Sequence, residues 1–240
     1  DVVGGDCYWI GEVDGRCVVA LMDCTGHGVP GAVMTAIAAS ALTRILQDHR
    51  QHDPAVILER MDAMVRTALR QDGGSLEDAA ESSDDGLDAA VCIVDPDAGC
   101  LSFAGANLPL IYHADGELHL VKGTRASLGY RRSARTGVRF QRHDLPLRPD
   151  MRLFLFTDGV TDHVGGPKRR LFGRRRLQEV LRGADGLSMA AVASRLLDAL
   201  DAYRGGEPRR DDVTFIGFAP AIGAGAPPAG ATGAVERVEA

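Results

Sequence analysis

The sequence has no CxxC pair, and its five cysteines (Cys7, Cys17, Cys24, Cys92 and Cys100) are odd in number, four of them inside apparent strands. That pattern indicates neither a disulfide framework nor a zinc knuckle, and a reducing cytoplasm is the expected setting. No continuous apolar run approaches the ~20 residues that span a bilayer, and no signal-peptide pattern opens the chain, so this segment is expected to be soluble. Positive charge is not in excess either. The 33 acids outweigh 27 bases for a formal net charge of −6, which argues against a general affinity for nucleic acid and suits metal sites. The familiar nucleophile motifs are missing as well. There is no GxSxG elbow and no Walker loop, and none of the five cysteines has the arginine six residues on that thiolate attack on a phosphate ester would need.

What is present is a chain of 240 residues, 45% hydrophobic and 25% charged, enough for one large core. One domain over residues 1–219 is expected. Residues 220–240 are mostly Ala, Gly and Pro and are expected to be disordered. The chain opens on a motif rather than on methionine, so it is expected to be a fragment of something longer.

The stretch Asp23-Cys24-Thr25-Gly26-His27-Gly28 stands out. Before it, residues 18–22 form an apolar run of strand length, buried on both faces. After it, Pro30-Gly31 opens an Ala-rich helix reaching about residue 48, with apolar residues at Val33, Ile37, Ala41, Ile45 and Leu46. A carboxylate thus sits at a strand-to-helix junction, where two glycines allow a tight turn and close approach of a ligand. Upstream, Gly4-Gly5-Asp6 precedes a strand over residues 7–13, and the Asp14-Gly15 turn pairs it with residues 16–22. That hairpin brings Asp6 close to Asp23.

A second helix is expected over residues 54–71, capped by Asp53 and started by Pro54. His49 and His52 between the helices read as exposed polar residues at a helix end rather than as metal ligands. Residues 72–86 read as a mobile acidic loop. Strands over residues 89–94, 100–104, 108–112 and 117–121 read as an antiparallel meander, with a further strand over 138–143. Residues 153–157 repeat the earlier pattern: a buried strand ends on Asp158, followed by Gly159. Between Lys168 and Arg176, six of nine residues are basic, either a docking surface for an acidic or phosphorylated partner, formed around Lys168, Arg169 and Arg170, or a solvated helix start. Helices over 174–181 and 188–203, then Asp211-Asp212 and a strand over 213–218, complete the pattern.

Four carboxylate positions therefore stand at strand ends: Asp6, Asp23, Asp158, and Asp211 or Asp212. Crowded acids must be neutralised, and hard oxygen ligands without His or Cys pairs call for Mg2+ or Mn2+ rather than zinc. Two such ions bind a phosphate and make hydroxide from water at neutral pH.

Gly4-Gly5-Asp6, Asp23-Cys24-Thr25-Gly26-His27-Gly28, Phe156-Thr157-Asp158-Gly159 and Arg210-Asp211-Asp212-Val213-Thr214 occur in order, with Ala104-Gly105-Ala106-Asn107-Leu108-Pro109 and Ser127-Leu128-Gly129 between them. In this the chain resembles the SpoIIE-like branch of the metal-dependent PPM-type (type 2C) serine/threonine phosphatases. The resemblance implies an α+β fold, a four-layer α-β-β-α sandwich of two antiparallel sheets flanked by helical pairs. It also implies a first strand, absent here before Gly4-Gly5-Asp6, so that a sheet edge is exposed. The implied site holds two Mn2+ or Mg2+ ions through Asp6, Asp23 as the bridge, the main-chain carbonyl of Cys24, Asp158 and Asp211, with Asp212 as the second choice for the last ligand. Trp9 replaces an acid that relatives often carry. His27 would orient phosphate or protonate the leaving alkoxide, or serve as a structural hydrogen-bonding residue. The implied reaction is hydrolysis of phosphoserine or phosphothreonine on a protein, and the implied substrate a STAS-type antagonist of an anti-sigma factor in a bacterial partner-switching pathway. Homodimerisation and a link to a larger, membrane-bound sensor are compatible with the pattern. The reading from another class is a pseudophosphatase that docks a partner without turnover.

Overall fold

Asp14 and Gly15 both have positive φ, 49° and 75°, the left-handed pair that a two-residue hairpin turn requires. The computed structural model describes residues 4–71, 85–131, 137–183 and 186–220 and the backbone of Ala234–Val235. In it this turn joins β1 (Asp6–Val13) to β2 (Arg16–Cys24) in an antiparallel ladder from Val13↔Arg16 to Asp6↔Asp23. The carboxylate of Asp14 accepts from Arg50 and pairs with His52, so these two residues of the connection between the first two helices hold the turn.

The described residues divide into two units. The first runs to Pro109 and includes Lys122–Pro146. Its antiparallel sheet has the order β1-β2-β3-β4-β7, with β3 (Leu87–Asp95), β4 (Cys100–Ala106) and β7 (His143–Pro146). Among the described residues β1 is an edge strand of this sheet. Alternate residues of β2 (Val18, Ala20, Met22, Cys24) and β3 (Leu87, Ala89, Val91, Ile93) pack into one core with α1 (Gly28–Gln47) and α2 (Pro54–Ala68). The intervening Val19 and Leu21 are buried on the other face, so this strand is covered on both sides, as read.

Three readings of this unit are corrected. The buried face of α1 is Met34, Ala38, Ala41, Leu42, Ile45 and Leu46, and Val33 is exposed. An Ala-rich helix offers apolar residues all round, so its sequence left the choice of face open. By length and composition α1 also passes for a membrane-crossing helix, against the expectation that no run is long enough; its buried face belongs to the core. The strand expected over 138–143 lies instead at His143–Pro146, because the Gln141 N–H is taken by the Thr124 hydroxyl at 3.0 Å rather than by a neighbouring strand.

The second unit comprises Leu110–Val121 and the described residues from Leu147 on. Its antiparallel sheet has the order β6-β5-β8-β11-β12, with β5 (Leu110–Ala114), β6 (Glu117–Val121), β8 (Arg152–Phe156), β11 (Phe215–Phe218) and β12 (Ala234–Val235). The expected four-strand meander is thus two hairpins on different sheets. The chain changes sheet at Asn107, held at φ 58°, where Leu108 N–H bonds back to Ala106 at 2.7 Å. α3 (Asp158–Thr161), the short pair β9 (Val164–Gly165) and β10 (Arg170–Leu171), α4 (Gly173–Arg182) and α5 (Met189–Arg204) follow β8. Phe154, Phe156, Phe172, Leu177, Leu181, Val192, Leu196 and Phe215 form the second core. β12 pairs with Ile216 and Gly217, a strand where no structure was expected; the rest of the tail expectation, and residues 72–84 of the acidic loop, lie outside the described residues. The fold class is α+β with two antiparallel sheets and helices, as expected.

The cap of α2 offers a check on the first unit. Asp53 accepts from Ala55 N and Val56 N at 2.9 and 3.3 Å and pairs with Arg142 at 3.0 Å. Asp53→Ala is expected to lower unfolding free energy by about 1–2 kcal/mol, measured as the shift of the urea midpoint at unchanged slope.

Candidate functional site

Asp6 and Asp23 close the β1–β2 ladder as direct partners, and direct partners leave a sheet on the same face. Asp88, on β3, stands opposite Asp23 and extends the row to three carboxylates. Since Met22 and Cys24 point into the helix-covered core, the row occupies the other face. Asp6 is 7% exposed. Asp88 is the acid that sequence reasoning missed. The signal was there, a lone carboxylate in the otherwise apolar run Leu87-Asp88-Ala89-Ala90-Val91. Burial raises its pKa against the opposing effect of hydrogen bonds from Ser127 and from Asn107, whose amide lies 2.9 Å away.

The main chain behind these acids is drawn tight. Cys24 N–H donates to Gly5 O at 3.1 Å. A Cβ on Gly5 would lie 2.3 Å from Cys24 O and 2.7 Å from Gly26 O, and one on Gly31 would lie 2.6 Å from Gly26 O. Gly26 and Gly28 take φ of 91° and 67°, the left-handed values that favour glycine. Thr25 donates from N–H and hydroxyl to Gly86 O, at 2.9 and 3.0 Å, and its hydroxyl accepts from Gly86 N at 3.0 Å. His27 is exposed at the N-cap of α1, and its side chain makes no capping bond to the helix.

In the second unit Asp158 is the first residue of α3, directly after β8 and Thr157. Thr157 and Thr214 exchange two hydrogen bonds, N–H to carbonyl at 3.1 Å and N–H to hydroxyl at 3.2 Å, which holds the start of α3 to the approach of β11. A Cβ on Gly159 would fall 1.8 Å from Asp212 O and 3.5 Å from Asp211 Cβ. Asp158, Asp211 and Asp212 therefore share one end of that sheet. Asp211 accepts from the N–H of Asp212 at 2.9 Å.

The chemistry of these donors is hard. Among the described residues no three His, Cys, Asp or Glu side chains form a ready-made metal cage, but carboxylates and a carbonyl are the ligands that Mg2+ and Mn2+ take. The Cys24 thiol is pushed far above its ordinary range by its hydrogen bond with Cys7, by burial and by Asp23 and Asp6, and burial also raises Cys92 and Cys17.

The basic stretch divides. Arg169 pairs with Glu207 at 2.8 Å, and Arg176 donates to Leu171 O and Phe172 O and lies 4.5 Å over the Tyr203 ring. Lys168, Arg170, Arg174 and Arg175 are exposed beside Leu171, itself 49% exposed.

The family model for Stage II sporulation protein E (SpoIIE) matches residues 13–219. The chain belongs to the SpoIIE family. Among solved structures, the SiaA-PP2C domain of Pseudomonas aeruginosa is similar to this SpoIIE domain at 33% identity and TM-score 0.79, over 92% of this chain and 82% of that one. The PP2C phosphatase domain of SpoIIE from Bacillus subtilis, with a fragment of its regulatory domain, shares 17% identity at TM-score 0.65, over 90% of this chain and 58% of that one. RsbX in complex with magnesium shares 15% identity at TM-score 0.58, over 90% of this chain and 86% of that one. These last two likenesses speak to the fold alone. No curated protein sequence matches the chain significantly. The SpoIIE domain is thus a PP2C-type phosphatase domain.

The close approaches predict which glycines are irreplaceable. Gly5→Ala and Gly159→Ala each force backbone apart and are expected to cost about 1–3 kcal/mol or more. Gly206→Ala, with nothing within 4 Å of the added Cβ, is the control and should stay within about 0.5 kcal/mol of the parent. Urea melts of the three variants test this.

Proposed function

We propose that this SpoIIE domain hydrolyses phosphoserine or phosphothreonine on a partner protein, with Mn2+ or Mg2+ as cofactor and a STAS-type anti-sigma factor antagonist as substrate, in the cytoplasm. The observation that carries the reading is the register pair Asp6↔Asp23, clamped by the Gly5–Cys24 contact within a chain of this family. Asp6, Asp23 and the Cys24 carbonyl would serve as ligands in the first unit, and Asp158 with Asp211 in the second. When bound, such ions supply positive charge to the phosphate and lower the pKa of water. The residues do the rest. The Gly5 contact fixes where the Cys24 carbonyl sits, the β1–β2 ladder fixes the spacing of two carboxylates, and the Cys24 side chain is turned into the core on the opposite face of β2. His27 would meet the phosphate or the leaving alkoxide.

Asp23→Asn tests the site. The rate should fall by several orders of magnitude, since positioning and electrostatic effects are each commonly worth about a hundredfold or more. The metal-free fold should be as stable as the parent or more so, because Asp23 sits between the like charges of Asp6 and Asp88. Only the parent should gain melting temperature with Mn2+. Near-parent activity in this variant would refute the reading. Activity on a phosphorylated STAS protein should also vanish with excess chelator and survive thiol alkylation. A folded, Mn2+-binding parent that releases no phosphate from any such substrate would instead be the pseudophosphatase.

The exposed bases Lys168, Arg170 and Arg174, with Arg169 beside them, are proposed to steer the acidic partner. Neutralising the first three should raise KM for the protein substrate and leave a small aryl phosphate unaffected; equal losses on both would assign them to the chemistry instead.

A further inference from the structure

Gln71 is 2% exposed, and its whole amide is spent on main chain. Its Nε2 donates to Asp85 O at 2.8 Å and to Gly129 O at 2.7 Å, and its Oε1 accepts from Asp85 N at 3.1 Å. A buried amide so engaged holds its partners to a geometry, because any one bond lost leaves a buried polar group unsatisfied. Gln71 is itself fixed to the end of α2. Its N–H reaches back to Arg66 O at 2.8 Å while Arg70 takes φ of 57°, the closure of a Schellman-type helix end. Asp62, buried on the same helix, accepts from Gly129 N at 2.9 Å. The segment after β6 is thus pinned to α2 at both polar groups of Gly129.

What Gln71 holds in turn holds the candidate site. Asp85 is joined to Gly86, and Gly86 makes all three bonds to Thr25. There is no slack at Gly86, where a Cβ would meet the Tyr130 ring at 2.2 Å and Leu128 O at 2.4 Å. Leu87 and Leu128 exchange N–H···O bonds at 3.0 and 2.8 Å, closing the segment on its other side. Thr25 adjoins Cys24, whose carbonyl is pressed against Gly5. The path from α2 to the Cys24 carbonyl therefore runs through one side chain, one peptide unit and one threonine, all within the first unit.

We propose that Gln71 is a positioning residue for the Asp23–Gly28 loop, acting through Asp85-Gly86 and Thr25, and that it sets the divalent-ion affinity of Asp23 and the Cys24 carbonyl. This rests on the metal reading above. The test compares the parent with Gln71→Leu, Thr25→Val and the double variant. Readouts are amide exchange at Thr25 and Gly86 without metal, the Mn2+ concentration giving half the gain in melting temperature, and kcat at saturating Mn2+. Each single variant should speed exchange at the loop and raise the Mn2+ half-point by about tenfold, the size of one or two lost hydrogen bonds, while kcat at saturation stays within about twofold. The double variant should be no worse than the worse single one, since both cut the same path. Gln71→Met, which keeps the length, serves if the leucine variant does not fold. A lowered melting temperature with unchanged Mn2+ half-point and unchanged Thr25 exchange would make Gln71 merely structural, and effects that add in the double variant would break the path; either overturns the proposal. A parent that responds to Mn2+ yet releases no phosphate removes the phosphatase reading and leaves this one intact.

Discussion

Everything in the first unit depends on keeping two like charges side by side. Asp6 and Asp23 are direct partners at the end of a ladder, the arrangement that opposes pairing most. The ladder tolerates it because the pairs behind it are mostly apolar: β2 is buried on both faces, and the core under α1 and α2 takes Val18, Ala20 and Met22. The turn at Asp14-Gly15 forbids a slip of register, since a shift by one residue would send every side chain to the wrong face. Repulsion at one end is thus held by packing along the strand and by geometry at the other end.

Much of this was legible in the sequence because the signals are local. Asp-Gly between apolar runs, Asp53-Pro54 before a helix, and carboxylates followed by glycine each carry their own conformational requirement. What escaped depends on partners distant in the chain. Asp88 reads as one acid in a strand until the register sets it beside Asp23. The change of sheet at Asn107 is invisible because a left-handed residue between two strands looks like an ordinary turn. The strand at His143–Pro146 was misplaced because the alternation of Val138, Phe140 and Arg142 resembles a strand, whereas the hydrogen bond of Gln141 goes to a threonine hydroxyl. The four motif acid positions are proposed from resemblance and from their place at strand ends. Gln71 carried no signal at all, being one amide at a helix end.

The two units solve the same problem in different ways. In the first, the acids are spaced by a long ladder and the main chain is clamped by Gly5. In the second, Asp158 begins a one-turn helix, and the closeness of Gly159 to Asp212 O leaves room for no side chain. Both put a glycine against a carbonyl next to a carboxylate. In each case backbone contact, rather than side-chain packing, sets where the acid stands, which suits groups whose own charge would otherwise push them apart.

Arg176 shows how a run of like charges can contain two populations. Its guanidinium lies over Tyr203 and bonds two carbonyls, so its attraction acts at short range. Lys168, Arg170 and Arg174 face solvent, where an ionic strength near that of the cell shortens the reach of a charge to roughly 8 Å. Salt therefore separates the two by kind. The exposed bases form a long-range field that fades as ions are added, while the close contacts of Arg176 tie α4 to Tyr203 of α5 and are screened much less.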